Sequence, residues 1–174
     1  MAASLMIMVC GITARSKKHL EHWPELKLLK QELEERRDEL ISLSRDDADA
    51  YDRIVAAMRR RREVEDAETR RSYQAALRNA TEVPYKTAVS CLLVLEKAVR
   101  VAELGLAHAS SDTGVAVLLA EVGFRGAAMN VDINLKETTD AAFVIDTRRS
   151  LDVHEKEMKV LVRESLSRLR GPSV

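Results

Sequence analysis

Apolar residues recur along this chain in steps of three and four, the spacing that turns one face of an α-helix towards a core. Leu26, Leu29, Leu33, Leu40 and Leu43 mark one such face, and Tyr51, Ile54, Val55 and Met58 mark the next. Val89, Leu92, Leu93, Leu95 and Val99 belong to a stretch that is apolar on most sides, which predicts a central helix. Leu151, Met158, Leu161, Val162, Leu166 and Leu169 carry the period to the C-terminal end. There is no strand-like alternation of useful length, no repeat and no low-complexity linker. The pattern predicts an all-α protein, a helical bundle of about six helices in a single domain over residues 1–174. Boundaries are read between Lys18 and Pro24, between Ser44 and Asp46, between Arg62 and Glu65, before Pro84, at Gly105 and near Thr139. Gly171 and Pro172 are read as closing the last helix.

The stretch Ser110 to Lys136 departs from the common pattern. It opens with Ser110, Ser111 and Asp112, which suit a helix start, and contains no proline. At helical spacing Asp112, Ala116, Ala120, Gly123, Ala127, Asn130 and Asn134 share one face, while Val115, Leu118, Leu119, Val122 and Met129 lie on others. Instead of an apolar stripe backed by charge, this helix has a row of small residues that ends in two amides. Small residues let another backbone come close, and amides need hydrogen-bond partners wherever they are buried. The row therefore reads either as tight packing or as the wall of a ligand site.

Composition narrows the field. Aromatics are only 3%, and six glycines and three prolines leave little material for the many turns of an all-β fold. The 46% hydrophobic and 32% charged content is that of a globular chain. Charges cancel at 28 against 28, so no global field points to nucleic acid or to an anionic membrane, and neither is expected as a partner. The apolar run Leu5 to Ile12 is far shorter than the roughly 20 residues of a membrane-crossing helix. Arg15, Lys17 and Lys18 follow that run, whereas a secretory signal has basic residues before it. No membrane span and a cytoplasmic location are expected. Cys10 and Cys91 sit among apolar neighbours and read as buried free thiols. The start MAASLMIMVCGIT has no polar lead-in, so either residues are missing before it or a partner covers it.

Arg59 to Arg62 are followed by Glu63, Glu65, Asp66 and Glu68, which neutralise the basic run and make it a solvated connection rather than a phosphate patch. His19 and His22 stand three apart without a third ligand suitably spaced, so no metal site is expected. SLSRDDADAY, residues 42–51, holds Asp46, Asp47 and Asp49. Asp47 and Tyr51 share the inner face with Ile54 and Val55, while Asp46 and Asp49 face solvent. An acidic helix start explains the cluster without any function. If Asp47 points inward, it is a partly buried carboxylate available as a proton donor or acceptor.

Four segments carry a resemblance. ASLMIMVCGITARSKK, DDADAY, TEVPYKTA and SSDTGVAVLLAEVGFRGAAMNVDINL occur in the order found in the cyclodeaminase/cyclohydrolase family of folate one-carbon enzymes, and together they span nearly the whole chain. The last segment is the most specific, resembling the family's S-D…A…G-A…N-V-x-x-N-L signature. Two features depart from the family. Its glycine-rich G-G-G-S segment does not occur ahead of Ser4 to Val9, and Gly105 is followed by Leu106 where the family has G-N. The resemblance implies an enzyme, either a formiminotetrahydrofolate cyclodeaminase or a methenyltetrahydrofolate cyclohydrolase. The alternative is a catalytically inactive helical dimerisation module of the same fold.

The same resemblance implies a tetrahydrofolate derivative as substrate, no cofactor beyond it, no metal, and a homodimer or larger assembly. Asp47 is then the proton shuttle. Asn130 and Asn134 hydrogen-bond the polar edge of the pterin, Ser111 and Asp112 belong to the signature, and Lys18 meets the glutamate tail. In a continuous helix Asp112 and Asn130, 18 residues apart, are separated by about 27 Å, too far to touch one carbon within a subunit. Three explanations follow: a break at Gly123 or Gly126, a helix-start role for Asp112, or a site shared between subunits.

Overall fold

The computed structural model describes residues 1–64 and 66–169; the predicted closing residues Gly171 and Pro172 lie outside them. Among the described residues five α-helices follow one another: α1 (Ala2–Thr13), α2 (Trp23–Glu63), α3 (Ala67–Leu104), α4 (Ser110–Leu135) and α5 (Ala141–Leu169). A 3₁₀ segment at Lys17–His22, kinked at His19, and a single 3₁₀ turn at Ala107–Ala109 lead into α2 and α4. The all-α expectation holds, and the number of helices is corrected from about six to five.

Two expected boundaries are absent. The chain passes Ser44 to Asp46 without a break, and α2 runs for 41 residues. No glycine or internal proline interrupts it, and its buried positions Leu26, Leu29, Leu33, Leu43 and Ala50 keep helical step across the acidic segment. Pro84 likewise does not start a helix; it lies inside α3, which is 38 residues long. A proline in a helix interior removes one N–H and typically costs about 3 kcal/mol, so it persists only where the surroundings compensate. Here the ring is buried, and the carbonyl it leaves unpaired is satisfied from another helix, as described below.

Other ends follow local rules. At the start of α3, Thr69 N donates to Asp66 Oδ1 at 2.8 Å and Asp66 N donates to Thr69 Oγ1 at 3.2 Å, a reciprocal capping box. Gly105 ends α3 as expected: a Cβ there would stand 2.7 Å from the Val101 carbonyl, so the close turn requires glycine. The first helix stops at Thr13 rather than at Lys18, and its hydroxyl accepts from Leu106 N at 3.2 Å, tying the end of α1 to the entry of α4. At the start of α5, Asp140 Oδ1 accepts from Phe143 N at 3.0 Å.

The central helix is α3, which packs against each of the other four. The core around it includes Met6, Val9, Leu26, Leu33, Leu95, Phe124, Val131 and Met158. α1 packs on both α2 and α4, whereas α2 and α4 hardly touch each other. Past the part of the bundle that α1 fills, α2 and α4 therefore face one another across a groove floored by α3.

The helix α4 carries apolar residues beyond its buried face. Together with the preceding turn it is long and apolar enough to cross a bilayer by composition, with a mean hydropathy of 1.3. The apolar residues go two ways in this fold. Val117, Phe124, Val131 and Leu135 are buried in the core, while Val115, Leu118, Val122, Met129 and Ile133 form a stripe that is 49–66% exposed.

Candidate functional site in the groove between α2 and α4

Two adjoining cavities occupy the groove. One, of about 160 Å³, is lined by Asp47, Tyr51 and Ile54 of α2, Ala80 and Pro84 of α3, and Asn130, Ile133 and Asn134 of α4. The other, of about 170 Å³, shares Asp47, Pro84 and Asn130 and adds Leu43, Ser44, Thr87, Gly123 and Ala127. A wider groove of about 550 Å³ near the α2–α3 connection holds Arg53, Arg60, Ser72 and Asn79 among alanines and contains no carboxylate.

Asp47 reaches the groove by helical phase. The buried positions Leu43 and Ala50 flank it at steps of four and three, so Asp47 replaces an apolar residue in the stripe that α2 turns inward. The expectation that its carboxylate is partly buried is corrected: Asp47 and Tyr51 are both exposed. Because α4 stands off across the groove, solvent reaches the inner face of α2 at this level. Asp46 and Asp49 face solvent as expected.

The row of small residues on α4 divides in two. Ala116 and Ala120 are buried in the core, which is the packing role, whereas Gly123, Asn130 and Asn134 line the cavities, and Ala127 is both buried and a lining residue. Cys91 stands directly behind Gly123; a Cβ on that residue would come within 2.9 Å of its Sγ. Both cysteines are free and buried as expected, and burial pushes each thiol up to about 11, away from nucleophilic use.

Asn134 is half-buried, and its Nδ2 donates to the Ala80 carbonyl at 2.7 Å. That carbonyl would ordinarily accept from the N–H four residues on, but residue 84 is proline and has none. The amide thus closes a vacancy in the α3 ladder and leaves its Oδ1 at the cavity. Further along, the end of α4 is fastened to α3. The Tyr73 hydroxyl donates to the Glu137 carboxylate, Gln74 Nε2 donates to the Glu137 carbonyl at 3.1 Å, and Thr139 N donates to Gln74 Oε1 at 2.9 Å. Desolvation, aided by the Glu137 carboxylate, pushes the Tyr73 phenol up to about 12.

The structure thus brings Asp47, Asn130 and Asn134 together and leaves Ser111, Asp112 and Lys18 apart from them. α4 is unbroken from Ser110 to Leu135, which removes a break at Gly123 or Gly126. Asp112 lies in its first turn, behind an N-cap, Ala109, that offers no side chain to the helix. Lys18 is exposed just after the end of α1, which is bonded to the entry of α4. Ser111 and Asp112 belong to the end of α4 remote from the cavities, and Lys18 to the 3₁₀ segment that leads into α2. Among the described residues no group of three or more His, Cys, Asp or Glu side chains is placed to hold a metal ion. Sequence reasoning missed Pro84, Ala80, Ser44 and Thr87 as parts of the groove. Pro84 had a signal, an internal proline, but it was read as a helix boundary.

Comparison with known proteins follows this geometry. Residues 1–153 match the family model described as formiminotransferase-cyclodeaminase. A methenyltetrahydrofolate cyclohydrolase from Methylorubrum extorquens is 36% identical over 154 residues, covering 87% of this chain and 74% of the relative. A formimidoyltransferase-cyclodeaminase from Sus scrofa is 30% identical over 174 residues, covering 98% of this chain and 32% of the relative. The crystal structure of formiminotetrahydrofolate cyclodeaminase from Thermotoga maritima superposes with a TM-score of 0.88 at 26% identity, covering 98% of this chain and 82% of that one.

Proposed function

Because the chain belongs to the formiminotransferase-cyclodeaminase family, we propose that it is a folate one-carbon enzyme acting at the bridge between N5 and N10 of tetrahydrofolate. The reading covers two reactions that each pass through a tetrahedral adduct at the same carbon. In cyclodeamination, N10 attacks the formimino carbon on N5, and the tetrahedral adduct expels ammonia to give the methenyl bridge. In cyclohydrolysis, water adds to the methenyl carbon, and the adduct opens by breaking the bond to N5, which leaves the formyl group on N10. Cyclodeamination moves one proton from N10 to the departing nitrogen, and cyclohydrolysis moves one proton of the attacking water to N5 and releases the other to solvent, work that a single solvent-accessible carboxylate does without a metal.

The observation that carries the reading is the meeting of Asp47, the sole carboxylate among the described residues that line the two cavities, with the Asn130 and Asn134 amides. Asp47 is the shuttle in this proposal, and the amides hold the polar edge of the pterin. Asp47→Asn should lower turnover of the near-ultraviolet methenyl chromophore by about 10²–10⁴-fold while leaving the helical circular dichroism unchanged. Full activity in that variant would remove Asp47 from the mechanism. Assaying formation and hydrolysis of the methenyl compound separately tells the two reactions apart.

The proposal includes a homodimer with shared sites. The support is the exposed apolar stripe of α4, Val115 to Ile133, since soluble monomers rarely leave so continuous an apolar row in water. Ile133 also lines a cavity, so the stripe borders the groove. Two copies of α4 crossing antiparallel near Val122 would put Asp112 level with the partner subunit's Asn130. That arrangement accounts for a signature whose two ends lie about 27 Å apart in one chain. Light scattering should give a dimer or larger species, and Val122→Glu should shift it towards monomer. A wild-type protein that is monomeric at micromolar concentration would sink the shared-site reading.

A further inference from the structure

We infer that Pro84 is a positioning residue for the ligand, acting through Ala80 and Asn134 to fix a hydrogen-bond acceptor in the groove. This role rests on the function proposed above. Every interior helical carbonyl has an amide donor four residues on unless that residue is proline. Pro84 therefore frees the Ala80 carbonyl, at a level of α3 where both residues are buried. A buried carbonyl needs a donor, and Asn134 Nδ2 supplies it at 2.7 Å.

The chemistry of that bond settles which way the amide lies. A carbonyl oxygen only accepts, so the group facing Ala80 must be the NH₂ and not the oxygen. Asn134 Oδ1 is then held as an acceptor, and no hydrogen bond engages it among the described residues. Asn134 lines the cavity with Asp47, whose carboxylate oxygens are acceptors. The amide oxygen that the proline fixes and the carboxylate at the same cavity are thus both acceptors. They select the N–H-bearing edge of a ligand, and a ligand offering carbonyl oxygens at the same positions meets only repulsion. An ordinary asparagine would turn its amide to suit either; the proline denies this one the choice.

The test is a double-mutant cycle on the full chain, read by titration with 5-formyltetrahydrofolate, a stable reduced folate. Pro84→Ala restores an amide N–H that competes for the Ala80 carbonyl and releases Asn134 to rotate. Binding should weaken by about three- to tenfold, the range of one neutral hydrogen bond, while thermal stability rises or holds. Asn134→Leu should weaken binding to a similar degree. In that background the further change Pro84→Ala should have no effect on binding, because the group it positions is gone. Unchanged affinity in Pro84→Ala, or losses that add in the double variant, would overturn the inference. Failure of the wild-type protein to bind any reduced folate is a different result: it removes the substrate class and with it the basis of this inference.

Discussion

The two halves of α4 are built from the same kind of residue and do opposite things. In the first half Ala116 and Ala120 are 0% and 2% exposed and bring α4 onto the core. In the second half Gly123 and Ala127 occupy the next steps of the same row and line a cavity, although Cys91 backs Gly123 and Ala127 is 7% exposed. The difference lies across the interface rather than in the helix. α1 packs on both α2 and α4, and past the part of the bundle it fills no helix among the described residues bridges them above α3. A small residue is close packing where a neighbour advances to meet it and an empty wall where the neighbour is missing.

One substitution made at two positions separates these roles most sharply. Ala120→Leu pushes a large side chain into a filled interior and should cost about 1–3 kcal/mol, read as a lower denaturation midpoint, with activity per folded molecule retained. Ala127→Leu, seven residues on and in the same phase, should change stability by less than about 1 kcal/mol, since it fills space, but should lower folate turnover at least tenfold, by roughly the 1.4 kcal/mol that a tenfold change represents. If Ala127→Leu unfolds the protein and Ala120→Leu does not, the assignment of the halves is reversed.

A smaller effect tests the boundary between them. Gly123→Ala gains helix propensity of about 1 kcal/mol but drives a methyl into the Cys91 sulfur, which must yield. The variant should sit within about 1 kcal/mol of wild type, and Cys91→Ala should then raise its melting temperature by removing the clash. A Gly123→Ala protein already more stable than wild type, with no further gain from Cys91→Ala, would show that the helices separate freely at this point.

Much of the site could be read from the sequence because it depends on helical phase. Leu43, Asp47, Ala50 and Ile54 keep one register along α2, so the inward bearing of Asp47 follows from counting residues. Its exposure does not, since that depends on how far α4 stands from α2, and no local pattern records the distance. Asn130 and Asn134 were legible as amides on a small-residue face for the same reason. The bond from Asn134 to Ala80 joins residues 54 apart and was invisible. Pro84 was misread because the local rule for proline is statistical, whereas its place in α3 is decided by a compensating donor from α4. Asp46 and Asp47 misled in the same way: acidic pairs begin helices often, but a long helix with solvent on one side tolerates them at its middle.

The position of α1 has a mechanical consequence. Its twelve residues act as a shim, holding α2 and α4 apart at one end and so setting the width of the gap at the other. The volumes of Met6, Val9 and Cys10 are thus levers on the groove, although none of them lines it. A methylene gained or lost in α1 would tilt Asp47 towards or away from Asn130 without touching either. Variation in this helix is a way to tune the size of the ligand accepted while the residues that face it stay the same.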